Sequence, residues 1–257
     1  MTLSSLSAVF GEPMAWRYFV WMLEGFAVTL ILSAAVCVTG SVCGALLCGM
    51  KLSGRSVFAT SARIIISALR NTPLLVQLFF WYFGMSAFLP SPLMQWLNTP
   101  HILSLPFVSL RLPGFESIAA FFALTLYAGS YIAEELQAGI NQVDKGQEET
   151  ARALGFNKFQ CLRLIILPQA VAFAWMPITG QYLNTIKNTS LTMAIGVAEL
   201  SYASRQVETE TFLTFQAFGI ATVFYIVAVC LTEAAASRLH SKRRMRISLP
   251  ETAGSGT

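Results

Sequence analysis

A chain of 257 residues that is 55% hydrophobic and only 12% charged lies far from the balance of a soluble domain, in which about a quarter of residues are charged. Its formal net charge of +4 is small and scattered, which argues against a nucleic-acid binder. Mean hydropathy of +0.60 completes the composition of a membrane protein and speaks against a soluble enzyme.

The 5 cysteines, Cys37, Cys43, Cys48, Cys161 and Cys230, form no CxxC pair. Two histidines, His101 and His240, with no HExxH, leave no material for an imidazole cluster, so neither a disulfide framework nor a metal centre is expected. Residues Met1 to Tyr18 lack a basic n-region followed by a small-residue cleavage site, so they read as mature protein.

A bilayer core of about 30 Å needs roughly 20 residues of helix and tolerates few charges. The uncharged stretch between Glu24 and Lys51 is the first expected span. A second apolar stretch runs from Val57 through Arg63 and Arg70 to Leu89, too long for one crossing, and its membrane part is placed at Leu69 to Leu89. Pro90, Pro92, Pro100, Pro106 and Pro113 then predict an external loop to Gly114 with one short helical turn around Trp96. A third span is expected at Ile118 to Ile140, a fourth starting near Pro168, and a fifth between Glu210 and Glu233.

About five spans put the termini on opposite sides. One set of connecting segments holds Lys51, Arg55, Lys145, Arg152, Lys158, Arg163, Arg238, Lys242, Arg243, Arg244 and Arg246, and the other only Arg17, Arg111 and Arg205. The positive-inside rule therefore predicts an external N-terminus and a cytoplasmic C-terminus. The expected layout is an external segment at 1–24, a helical membrane domain at 25–238 and a cytoplasmic basic tail at 239–257. The run Lys242-Arg243-Arg244 reads as a stop-transfer flank rather than a dedicated lipid site.

The cytoplasmic loop at 144–165 is the most informative segment. It predicts two short helices with a corner between them: Gly155 suits the left-handed position that ends the first, Asn157 can cap the second, and Pro168 restarts the chain at the next span. Glu148 and Arg152 stand at i,i+4. Ala151, Leu154 and Phe159 offer an apolar patch on a wet loop, which calls for a partner.

Glu149-Thr150-Ala151, Gly155, Ile165, Leu167 and Pro168 resemble the cytoplasmic signature of the permease family of ATP-binding-cassette importers, Glu-Ala-Ala, three residues, Gly, nine residues, Ile-x-Leu-Pro. Thr150 is the one departure. Arg70-Asn71-Thr72-Pro73-Leu74-Leu75-Val76-Gln77, Tyr131-Ile132-Ala133-Glu134 and Lys187-Asn188-Thr189-Ser190-Leu191 resemble motifs of its polar amino-acid branch, with Asn71 in place of Gly. The resemblance covers about Gly25 to Arg238.

The resemblance implies an all-α membrane subunit of the type I importer fold, driven by two separate ATPase subunits and fed by a periplasmic amino-acid-binding protein. It implies pairing with a second permease chain, self or homologue, in the inner membrane of a bacterium. No GxxxxGK[ST] P-loop occurs in the chain, so ATP and Mg belong on the partner ATPase and this chain carries no cofactor. Gly146, Gln147, Glu149, Thr150, Ala151, Leu154 and Gly155 are the expected ATPase-coupling residues. An ATPase-independent channel or secondary transporter, or an importer of the same family for another small polar solute, remains the alternative. A membrane hydrolase would need a nucleophile and base within a span, and none is evident.

Arg70, Thr72, Gln77, Lys187, Asn188, Thr189 and Ser190 are the candidate substrate-path residues; the cluster Lys187 to Ser190 could instead hydrogen-bond neighbouring spans. Arg70 at a span end also suits an interfacial anchor. Glu134 suits a proton relay or, better, a pairing with a basic group, with Glu135 at the interface. If the fourth span starts near Pro168, Lys187 lies roughly 28 Å along it at about 1.5 Å per residue, near the outer interface; a break at Pro177 would place it mid-membrane. Glu199, Tyr202, Arg205, Glu208 and Glu210 form an expected external loop, either merely solvated or a dock for the binding protein. Lys187 gives a slight lean to acidic amino acids.

Overall fold

The computed structural model describes residue 14 and residues 16–99, 102–105, 108–111 and 114–247. Long apolar stretches can satisfy their backbone groups only internally, and they do so as helices. In chain order these are α1 (Trp16–Leu52), α2 (Ser56–Arg70), α3 (Leu74–Phe88), α4 (Ser91–Asn98), α5 (Phe115–Asn141), α6 (Lys145–Ala153), α7 (Lys158–Ile195), α8 (Leu200–Thr211) and α9 (Thr214–Ile247). Four are long and apolar enough to cross a membrane, and α2 with α3 makes a fifth span if the pair is counted as one.

The inner helix is α5, whose buried face of Ala119, Ala123, Ser130, Ile132 and Ala133 meets α1 on one side and α7 on the other. Small residues allow this approach. A Cβ added to Gly44 on α1 would stand 2.7 Å from Ile132 Cγ2, and one added to Gly129 would stand 2.9 Å from Cys43 Cβ. Hydroxyl pairs fasten the same seam: Thr39 Oγ1 lies 2.9 Å from Thr125 Oγ1, and Ser41 Oγ lies 2.7 Å from the Tyr182 hydroxyl. The faces turned away from these contacts are apolar and exposed, as Ile31, Val38, Val42 and Leu46 on α1 and Leu231 on α9 illustrate. That arrangement suits a hydrocarbon surround.

Several sequence expectations need correction. The first helix starts at Trp16, earlier than the charge gap after Glu24 suggests, because Arg17 and Glu24 are tolerated near its end. Residues 1–13 and 15 lie outside the described residues, as do 248–257 of the basic tail; α9 runs on to Ile247. The span placed at Leu69 to Leu89 is broken: α2 ends at Arg70, Pro73 takes an extended φ −60°, ψ 136°, and α3 leaves at 106° to α2. Proline bars the residue before it from helical geometry, which explains the break.

The proline-rich tract holds more order than one turn around Trp96. Pro90 caps α4 and Pro92 sits in its first turn, where a missing N–H costs nothing. Beyond it, strands β1 (Ile102–Leu105) and β2 (Val108–Arg111) form an antiparallel hairpin with Ile102 opposite Arg111. This small hairpin interrupts an otherwise helical frame.

Pro168 does not restart the chain either. The fourth span runs unbroken from Lys158, with a wide i→i+5 turn at Cys161–Ile166 just ahead of the proline. A regular turn would press the proline ring on the carbonyl four residues back, and the wider turn relieves it. Pro177 lies inside the continuous helix Leu167–Asn188, so the break that would have set Lys187 in mid-membrane is not there.

Candidate functional site

The loop between α5 and α7 folds as a corner held by hydrogen bonds between near neighbours, from both backbone and side-chain caps. Asp144 caps α6 by accepting a 2.9 Å hydrogen bond from the Gly146 amide. At the other end Gly155 adopts φ +88°. The Phe156 amide donates to the Ala151 carbonyl at 3.1 Å and the Gly155 amide to the Arg152 carbonyl at 3.0 Å, the paired bonds of a Schellman termination. Asn157 and Gln160 then form a reciprocal capping box, each side chain accepting from the other's amide at 2.9 Å. The left-handed turn expected at Gly155 and the cap expected at Asn157 are present, and Glu148 pairs with Arg152.

Gly146, Gln147, Glu149, Thr150, Leu154 and Gly155 are exposed. Leu154 is 73% and Phe159 67% exposed, large apolar groups on a polar loop. Ala151 is the correction: it is 1% exposed and faces its own chain, beside the wide turn at Cys161–Ile166, because the Schellman turn rolls that side of α6 inward. Asp144 is a functional addition to the expected residues, and an Asp one residue ahead of a helix is its recognisable sequence signal.

The second cluster lies where α1, α2 and α5 meet. Lys51 Nζ sits 2.6 Å from Glu134 Oε1, and Arg70 Nη1 sits 4.0 Å from Glu134 Oε2. The expected pairing of Glu134 with a basic group is therefore present, and Glu135 is half-buried beside it. The Arg70 guanidinium lies 5.0 Å over the Tyr131 ring. A cavity of about 310 Å³ opens here, lined by Arg63, Ile66, Ser67, Arg70, Asn71, Tyr131 and Glu134. Lys51 has no local sequence signal for this role, since its partner lies on another span.

Gln77 serves the bend rather than an open path. Its side chain is buried, and its Nε2 donates to the Leu69 carbonyl at 2.7 Å, the Thr72 carbonyl at 3.2 Å and Thr72 Oγ1 at 2.8 Å. Its Oε1 is enclosed without a hydrogen-bond partner among the described residues. Thr72 is itself tied back to the Ala68 carbonyl at 2.9 Å. The two residues staple the end of α2 to the start of α3.

Lys187 and Asn188 occupy the last turn of the α-helical part of α7, and Lys187 is exposed. Thr189 is fully buried and donates to the Ile186 carbonyl, while Ser190 donates to the Lys187 carbonyl, both at 2.7 Å. Their hydroxyls therefore close the helix on itself, a local bond that spacing alone does not reveal.

The expected external loop after this point is a helix, α8, and its first carboxylate is not solvated. Glu199 is 0% exposed. It accepts from the Tyr202 amide at 2.9 Å, the Tyr225 hydroxyl at 2.7 Å and Thr29 Oγ1 at 3.4 Å, while Thr29 Oγ1 accepts from the Leu200 amide at 3.2 Å. Burial pushes its carboxyl pKa up, against the downward pull of these donors. Sequence distance hid this knot, which joins α1, α8 and α9.

Residues 38–246 match the family described as binding-protein-dependent transport system inner membrane component. The chain belongs to that family. It is 32% identical over 205 residues, 80% of this chain and 85% of the other, to a protein of Bacillus subtilis named "probable glutamine ABC transporter permease protein". With the "glutamine transport system permease protein" of Escherichia coli it shares 29% identity over 232 residues, 90% and 96% of the two chains. Among solved structures, an amino acid ABC transporter crystallised with histidines matches with a TM-score of 0.72 and 26% identity over 94% of this chain and all of that one. An inward-facing methionine ABC transporter shares the fold, with a TM-score of 0.71 at 16% identity. The chain is thus the multi-pass membrane subunit of an ABC importer, a transport subunit rather than an enzyme, and such a subunit works with ATPase subunits and a binding protein.

Proposed function

We propose that this chain forms half of the translocation path of an ATP-driven amino-acid importer in a bacterial inner membrane, with an external N-terminus and a cytoplasmic C-terminus. A second permease chain, self or homologue, completes the path, and two ATPase subunits seat the paired corners. The observation that carries this reading is the exposed corner itself: a short helix, capped at both ends, with Leu154 at its end and Phe159 at the start of α7 both open to solvent. Residues Gly146, Gln147, Glu149, Thr150, Leu154 and Gly155 form the contact, and Ala151 braces it from behind. Closure of the ATPase pair on ATP and Mg draws the two corners together and re-orients the spans, switching which side the path opens to.

The proposed cargo is L-glutamine rather than an acidic amino acid. The names of the two relatives support it, and Lys187, which carried the acidic lean, is an exposed residue at a helix end. The proposed path runs along Arg70 and Thr72, with Gln77 holding their geometry.

The test is affinity purification of the tagged chain from native membranes, with the accompanying chains identified by mass spectrometry. A stoichiometric P-loop ATPase is the expected result, and a second permease chain beside it would distinguish the heterodimer. A membrane-intact preparation that carries no ATPase would overturn the coupling reading in favour of a channel or secondary carrier.

A further inference from the structure

Helix α2 carries three distinct faces. Ala59, Ala62 and Ile66 are buried against the spans. Val57, Ile64 and Ala68 form an exposed apolar row, while Thr60, Arg63, Ser67 and Arg70 form an exposed polar row that continues into Asn71. At about 100° per residue the polar row is centred roughly 100° from the apolar one, and its two arginines roughly 130° from it. The arginines therefore point away from the side suited to acyl chains, and they line the cavity against α5.

The charges around that cavity do not balance. Glu134 is engaged by Lys51 at 2.6 Å and only loosely by Arg70 at 4.0 Å. Arg63 carries no salt bridge among the described residues, and it is exposed. Two guanidinium groups, two turns apart on one row, thus face a space of about 310 Å³ with one carboxylate already held by a lysine. The Arg70 guanidinium is oriented by the Tyr131 ring beneath it, and the Asn71 side-chain amide donates to Ser67 Oγ at 3.0 Å between the two arginines. Guanidinium presents paired N–H donors that match an oxyanion, and the volume is that of a pocket for a small molecule.

We propose that this cavity is an oxyanion subsite in which Arg63 and Arg70 take the α-carboxylate of the amino-acid cargo. The inference rests on the importer reading above and adds to it the group of the cargo that is recognised and the residues that recognise it. A lipid phosphate offers similar chemistry, but the separation of the polar row from the apolar one favours a water-borne ligand.

The test uses the purified complex with its ATPase in phosphatidylcholine nanodiscs, without binding protein. Equilibrium binding of radiolabelled L-glutamine is measured beside L-glutamine α-amide, which lacks the carboxylate. The wild type is expected to bind the first and not the second. Arg63→Ala and Arg70→Ala should each weaken binding about tenfold or more, and Arg63→Lys should recover part of the loss. Arg63→Ala is the decisive variant, because Arg70→Ala also disturbs Glu134.

Wild-type binding of L-glutamine in Arg63→Ala overturns the proposal. With phosphatidylglycerol added to the same nanodiscs as a second probe, its loss from the variants with L-glutamine binding unchanged overturns the cargo assignment and identifies the oxyanion as a lipid headgroup. These outcomes are separable from failure of the importer reading, which would show as no ATP-dependent uptake of any amino acid by wild-type cells. Should uptake reveal a different amino acid, that compound and its α-amide replace the pair.

Discussion

The corner at α6 and the bend between α2 and α3 are both sharp changes of direction, yet they are held in different ways. Every bond that sets the corner joins residues within a few positions of one another: Asp144 to Gly146, Ala151 to Phe156, Asn157 to Gln160. The bend is closed by Gln77 reaching back to Leu69, and its surroundings depend on Lys51 and Glu134 from two other spans. A corner of the first kind keeps its shape when its neighbours move, which suits a part that transmits force. The second kind is tied to the packing of the spans and changes when they do.

Three substitutions test that difference. The largest effect is expected from Gly155→Val. A branched residue at φ +88° is strained by about 1–3 kcal/mol, and the strain falls where the corner turns. Membrane abundance should stay near wild type while transport falls tenfold or more with ATP hydrolysis continuing; paired uptake and ATPase assays check this, and unchanged uptake would contradict it.

Gln77→Leu should act through stability instead. It removes three hydrogen bonds and leaves the Leu69 and Thr72 carbonyls short of a donor, a loss of about 1–3 kcal/mol. A lower melting temperature in detergent, with the corner's protease susceptibility unchanged, is the expected pattern. The smallest effect belongs to Asn157→Ala, which removes half of the capping box at about 1 kcal/mol. Faster local amide exchange at Lys158–Gln160, with no change at α2 or α3, would show that the corner is a self-contained unit; exchange spreading to the bend would erase the distinction.

The same difference explains what could be read in the sequence. Gly155 and Asn157 were legible because their partners are near neighbours and their residue types carry the geometry. The span count was legible from charge gaps, and the pairing of Glu134 from the cost of leaving a carboxylate alone in a span. Lys51 as its partner was not, since 83 positions separate them. Gln77 looked like a path residue because a buried amide is costly, and only the fold shows that the amide is bonded to the bend. The wide turn before Pro168 and the helical first turn at Pro92 have no signal in spacing, because the effect of a proline depends on whether the preceding turn has room.

The buried carboxylate of Glu199 has a mechanical consequence. Through it the first turns of α8 are tied to Thr29 on α1 and Tyr225 on α9, so three helices meet at one hub like spokes. A swing of α1 at this end drags the other two with it, and the relative rotation that a transport cycle requires has to be taken up at joints that lack such a hub. The elbow at Asn71–Pro73 has no helical ladder across it, but rotation there has to work against the Gln77 bonds to Leu69 and Thr72.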